Sequence, residues 1–183
     1  LVFFAPFALR ADEVIIGEGT VFVCSVPSNT LYTYSWNESI YPGTEIGGAC
    51  TINSIAFNCN AHDTIGTLNL TELDVYMGIT QRETMSSNID WTPAADLILV
   101  YSGTNVVIGD DAWETITLDS PFYFTGEGNL VVVVAKKTNF QYISELKWFY
   151  TSVDNTTLYR RNDSSESIAD EHPGSATGTR LSY

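Results

Sequence analysis

Glu72 and Asp74 stand two residues apart in the stretch ELDVY, an arrangement that invites comparison with the E-x-D-x-E strand of some glycosidases. Alternate residues of a strand share a face, so these two carboxylates would sit side by side, with Tyr76 in the third position. An acid and a nucleophile must instead flank a glycosidic bond from opposite sides. The expected reading of Glu72 and Asp74 is therefore a solvated strand face, and no enzyme activity is expected.

The two histidines, His62 in NCNAHDT and His172 in EHPG, both lie in turn-forming segments and read as exposed. The pair His62-Asp63 has no recognisable nucleophile, and no G-x-S-x-G occurs. Cys59 with His62 falls short of the four ligands of a structural zinc site. Oxygen ligands for calcium are plentiful in loops: Asp110-Asp111, Asp154-Asn155, Asp163 and Asp170-Glu171. None has the spacing of a known calcium loop, so no metal residue is assigned, and a structural calcium ion is the only cofactor left open.

Aromatic rings carry the strongest binding signal. A flat ring stacks on the apolar face of a sugar, and Tyr or Trp also offers a polar tip. Tyr32, Tyr34, Trp36 and Tyr41 form one cluster; Tyr142, Trp148 and Tyr150 form another. The candidate ligand-binding residues are Tyr34, Trp36, Tyr142, Trp148 and Tyr150. The competing reading of each is packing at a sandwich edge. Trp91 and Trp113 read as packing residues. Four N-x-S/T sequons, at Asn37, Asn69, Asn155 and Asn162, are glycosylation sites in form only.

These residues need a scaffold, and the chain around them is β-prone. Short runs such as TVFVCSV, TINSIAF, ELDVYMGI, DLILVYSG, ETITLDSPFYF and TTLYRR recur between turn residues. In TINSIAF, Ile55 and Phe57 fall on one face and Ile52 and Ala56 on the other. In ELDVYMGI, Leu73, Val75, Met77 and Ile79 fall together. Pro121 cannot donate in a central ladder, so its strand is expected to stop there. The run NLVVVVAKK reads as a strand buried on both faces. No segment has a capped helical period. About ten strands at this spacing predict an all-β fold, a two-sheet antiparallel sandwich.

Composition sets the outer bounds. The chain has 183 residues, enough for one domain, with 44% hydrophobic residues to fill one core. Its net charge of -14 repels phosphate backbones, which argues against nucleic acid as a partner. Residues 1–11, LVFFAPFALRA, are too short to span a bilayer and read as the remnant of a secretory signal peptide. A single domain is then expected over residues 12–183, with no membrane insertion once the signal is removed. Cys50 and Cys59 flank one extended run and would lie roughly 30 Å apart, against about 6 Å for a disulfide. Cys24 can pair with one of them, or all three can be small buried apolar residues, which is the favoured reading.

Five stretches taken in order carry a family resemblance: YSWNESIYPGTEIGGACTINSIAFN, LDVYMGIT, SSNIDWTPAADLILVYSG, DDAWETITLDSPFYFTGEGNLVVVV and the closing TRLSY. Together they resemble the secreted β-sandwich modules of Bacteroidota surface proteins, akin to cleaved-adhesin and gingipain-type haemagglutinin domains. The resemblance covers most of residues 14–183. It implies a jelly-roll-like sandwich, an extracellular or outer-cell-surface location, and neighbouring domains in a longer parent chain. The family's Asp-rich calcium loop has no counterpart here. The expected function is a non-catalytic module for adhesion or glycan recognition, with a glycan or a cell-surface protein as partner. The alternative is a spacer that positions a neighbouring enzyme or sorting domain.

Overall fold

The computed structural model describes residues 12–19, 21–23, 25–29, 31–59, 68–70, 72–104, 106–108, 113–137, 147–163, 172–174 and 176–181. Among these, the chain is built almost wholly of antiparallel strands. They are β1 (Val21–Val23), β2 (Tyr34–Tyr41), β3 (Cys50–Asn58), β4 (Leu68–Leu70), β5 (Leu73–Thr80), β6 (Ile98–Gly103), β7 (Val106–Ile108), β8 (Trp113–Phe124), β9 (Asn129–Lys136), β10 (Trp148–Tyr150), β11 (Thr157–Asn162) and β12 (Thr179–Leu181). One helical turn, α1 (Gly43–Ile46), follows β2 and ends at Gly47, whose positive φ suits the left-handed C-terminal position.

The main sheet has six strands in the order β12-β11-β2-β9-β5-β6. The pairs β3-β8, β4-β7 and β1-β10 form separate two-stranded sheets. β9 lies between β2 and β5, and its sequence explains why. Leu130, Val132 and Val134 point into one buried cluster, Val131, Val133 and Ala135 into another. A strand apolar on both faces has to be central and covered on both sides.

The first cluster joins β5, β6 and β9 to Ile116, Leu118, Phe122 and Phe124 of β8, with Ile52, Ile55 and Phe57 of β3 packed against it. The β3-β8 ribbon therefore forms the second layer of a β-sandwich. The expectation of an all-β antiparallel sandwich is met. A jelly roll asks for two interlocked Greek keys, which the pairings among the described residues do not by themselves trace.

Two local readings need correction. Ile52 was expected to face away from Ile55 and Phe57, but all three pack on the same core. A register shift between Ile52 and Ser54 resets the alternation. The partner strand absorbs that shift between Thr117 and Phe122. Pro121 falls inside this irregular segment, where no ladder bond is asked of it, so β8 runs past it to Phe124. Residues 1–11, Cys24, His62, Asp63, Asp110, Asp111, Tyr142, Asp170 and Glu171 lie outside the described residues, and so do the expectations that rest on them. Cys50 and Cys59 fall at opposite ends of β3, opposite Phe124 and Trp148 respectively, too far apart to bond to each other. No helix among the described residues is long and apolar enough to cross a membrane.

Candidate functional site

The second cluster lies on the other face of the six-stranded sheet, where a long connection folds over it. Even-numbered residues of β2 share this face: Tyr34, Trp36, Glu38 and Ile40. They meet Val131, Val133 and Ala135 of β9, Leu158 of β11, and Met85 and Trp91 from the connection between β5 and β6. Trp36 is 2% exposed.

A buried carboxylate fixes that connection. Glu38 has no exposed surface. Its Oε1 accepts from the Thr92 backbone N–H at 2.9 Å and from the Thr92 hydroxyl at 2.6 Å. The Arg82 guanidinium stands 3.4 Å from the same oxygen. Arg82 also donates to the Thr92 hydroxyl and the Asp90 carbonyl, and pairs with the Asp90 carboxylate at 3.0 Å. Burial raises the pKa of Glu38 above the ordinary glutamate value; the Thr92 hydrogen bonds, then the Arg82 charge, pull against it. For Asp90, burial also pushes upward, but the bonds from the Ser86 N–H and hydroxyl, with Arg82, win and lower it.

Beside this network a pocket of about 160 Å³ opens, lined by Trp36, Tyr76, Ala94, Leu97 and His172. The Trp36 and Tyr76 ring centroids are 5.4 Å apart, and the His172 ring meets Trp36 edge-on at 5.7 Å. The Tyr76 hydroxyl donates to Asp74 at 3.1 Å. Nδ1 of His172 accepts from the Gly174 N–H at 2.9 Å, so Nε2 carries the proton it shares with the Thr92 carbonyl. His172, expected in an exposed turn, is half-buried and engaged. The segment behind it is held by the Trp91 indole, which donates to the Ala176 carbonyl at 2.8 Å.

A second polar cluster occupies the opposite face. Lys136, fully buried, donates to the carbonyls of Asn29 at 3.1 Å and Tyr32 at 2.6 Å. Burial depresses its pKa to about 8, although Asp163 pulls the other way. Asn29 donates to the Tyr159 hydroxyl at 2.9 Å, and Asn37 to the Pro27 carbonyl at 2.6 Å. Asn37, a sequon in form, is buried by this contact. These bonds tie Pro27, Asn29 and Tyr32 to the sheet.

The five candidate binding residues thus separate. Tyr34 and Trp36 share the pocket face, Trp36 lining the pocket and Tyr34 packing against its cluster. Trp148 belongs to β10, is 3% exposed, and donates to the Ser28 carbonyl at 3.0 Å. Its ring packs edge-on against Phe57, so it offers no open stacking face. Tyr150, in the same strand, is half-buried opposite Val21. Trp91 packs as expected, whereas Trp113, read as a packing residue, is 44% exposed at the end of β8.

The solvated face expected for Glu72 and Asp74 is also corrected. Glu72 precedes β5 with φ at 55°, off the strand alternation. Asp74 is 3% exposed and paired with Lys137. Among the described residues, no three His, Cys, Asp or Glu side chains gather as metal ligands. Tyr76, Leu97 and His172 were not singled out for binding by the sequence, because the pocket joins strands and loops distant in the chain. No family model, curated protein or solved structure matches the chain.

Proposed function

We propose that this chain is a non-catalytic β-sandwich module of an exported or cell-surface protein, and that it serves adhesion by recognising glycans. The observation that carries the reading is the pocket of Trp36, Tyr76 and His172, where aromatic rings converge beside an apolar rim of Ala94 and Leu97. Aromatic rings with few polar groups suit the apolar face of a sugar. A net charge of -14 fits a neutral glycan better than nucleic acid or an acidic lipid surface. The non-catalytic part of the reading is supported by the two carboxylates of ELDVY. One sits off the strand and the other is bound to Lys137 and Tyr76. The sequence resemblance to cleaved-adhesin modules supports export and neighbouring domains in a longer parent chain.

The test is a glycan array probed with the purified chain. Defined hits are expected, and Tyr76→Ala should reduce them by about tenfold or more, as loss of a stacked ring does, with an unchanged near-UV circular dichroism spectrum. A blank array from folded protein would reject glycan recognition and favour a spacer role.

A further inference from the structure

The outer face of the β3-β8 ribbon lies on the side of the molecule away from the pocket. Ile116, Leu118, Phe122 and Phe124 of β8 face the core, so the residues that alternate with them point outward. Two of these are large aromatics: Trp113 is 44% exposed and Tyr123 is 62% exposed. Trp113 stands opposite Asn58, and Tyr123 opposite Thr51; residues directly opposite in a ladder share a face. Thr115 and Thr117, both exposed, lie between the two rings, opposite Ala56 and Ser54.

Single exposed apolar residues are ordinary on a protein surface. Here two aromatics mark the ends of one strand face, and none of the paired positions between them carries a charge, in a chain of net charge -14. Asp119 sits in the irregular segment between Thr117 and Phe122. Its carboxylate turns to the edge of the main sheet, where it accepts from the Ser102 N–H of β6 at 2.9 Å.

Spacing and chemistry select the occupant. Asn58 and Thr51 lie at opposite ends of β3, so the two rings are separated by roughly 20 Å at about 3.3 Å per residue. One sugar ring cannot touch both aromatics, whereas a chain of several rings can. A two-stranded ribbon twists more strongly than a wide sheet, which suits a single chain that turns with it better than a planar crystal face. The Thr and Ser hydroxyls between the rings can exchange hydrogen bonds with sugar hydroxyls. They supply no apolar centre of the kind that a second protein surface would bury. The acidic chain repels a polyanion, and the strip offers a polycation no opposite charge.

We propose that the outer face of β3 and β8 binds a single extended chain of an uncharged polysaccharide, whose rings stack on Trp113 and Tyr123. This rests on the glycan-recognition reading above and adds to it a class of glycan and a second face.

The experiment is titration calorimetry on the intact chain. The probes are cellohexaose, mannohexaose, chitohexaose and maltohexaose, the disaccharide of each series, and hexagalacturonate as the charged contrast. Trp113→Ala and Tyr123→Ala remove the exposed rings one at a time. Thr115→Arg places bulk on the exposed strip between them and serves if an aromatic variant misfolds. Tyr76→Ala alters the pocket on the opposite side.

At least one neutral hexasaccharide should bind saturably, with its disaccharide and the uronate each weaker by about tenfold or more. Trp113→Ala and Tyr123→Ala should each weaken binding by about tenfold or more, Thr115→Arg should abolish it, and Tyr76→Ala should leave it in place. Failure of every neutral hexasaccharide to bind overturns the proposal. So does equal binding of the disaccharide or the uronate, or wild-type affinity in the face variants. A wild type that elutes as a dimer, with monomeric face variants, would overturn it in favour of self-association. Array hits lost in Tyr76→Ala but kept in the face variants would sink this face while leaving glycan recognition standing. A blank array with no hexasaccharide bound would sink both.

Discussion

The carboxylate of Glu38, in the interior of the six-stranded sheet, stands 3.4 Å from the guanidinium of Arg82, which lies 44 residues further along the chain. The pair fastens the β5-β6 connection across the sheet face that carries the pocket. Glu38 is wholly buried, whereas the Arg82 side chain keeps 26% of its surface. Removing the arginine would leave the carboxylate with Thr92 alone. Arg82→Ala should destabilise the fold by about 3 kcal/mol, read as a lower urea midpoint at unchanged slope. A loss within about 0.5 kcal/mol would show that the pair behaves like an ordinary surface salt bridge.

The raised pKa of Glu38 gives stability a pH signature. The folded state holds this proton more readily than the unfolded chain. Its contribution therefore favours folding at acid pH and declines as pH rises from the ordinary glutamate value through the raised one, by at most about 1.4 kcal/mol per pH unit. Asp90 works in the opposite sense, since its lowered pKa stabilises the fold above the ordinary aspartate value and is lost on acidification. Glu38→Gln should remove the decline and leave the Asp90 acid limb. Urea titrations from pH 2 to 8 on both proteins would show it.

Lys136 predicts a rise instead. Its folded pKa of about 8 lies below the ordinary lysine value of 10.5, so the unfolded chain holds more protons between those values. Stability should increase with pH through that window by on the order of 1–3 kcal/mol. Above pH 10 the half-buried Tyr41 and the buried Tyr159, whose pKa values desolvation raises, oppose the trend. Lys136→Met keeps the length and removes the charge. The difference between wild type and variant from pH 8 to 10 should carry the lysine slope, and parallel curves would contradict it.

Trp148→Ala should act on the fold. The ring is buried, packs on Phe57, and holds the Ser28 carbonyl. A loss of about 3–5 kcal/mol is expected for such a truncation, measured by urea unfolding. A variant as stable as wild type would mean that the ring is free to serve as a binding platform.

The sandwich was legible in the sequence wherever a physical rule acts over a few residues. The run of β9 is apolar at seven neighbouring positions from Leu130 to Lys136 but one, and a strand of that kind has only one place in a sheet. The alternation of Leu73, Val75, Met77 and Ile79 fixed the core face of β5 for the same reason. Alternation failed where the backbone departs from it. The register shift beside Ser54 turned Ile52 onto the core, and the positive φ of Glu72 separated it from Asp74.

The site was legible only in part. The sequence grouped Tyr34 and Trp36 as an aromatic cluster without a strand to hold them; that they share a face of β2 with Glu38, and that this face is covered, depends on pairing and on segments that arrive from elsewhere. Arg82 and Thr92 come from 44 and 54 residues away and His172 from still farther along the chain. Their closure over the sheet buries Glu38 and turns Trp36 from a candidate platform into a buried wall of a pocket. Sequence alone determined which residues can form strands and which strand must be central, because those follow from side-chain polarity at a period of two. The tertiary structure decided which polar groups lose their water, because desolvation is set by every neighbour in space and not by neighbours in the chain.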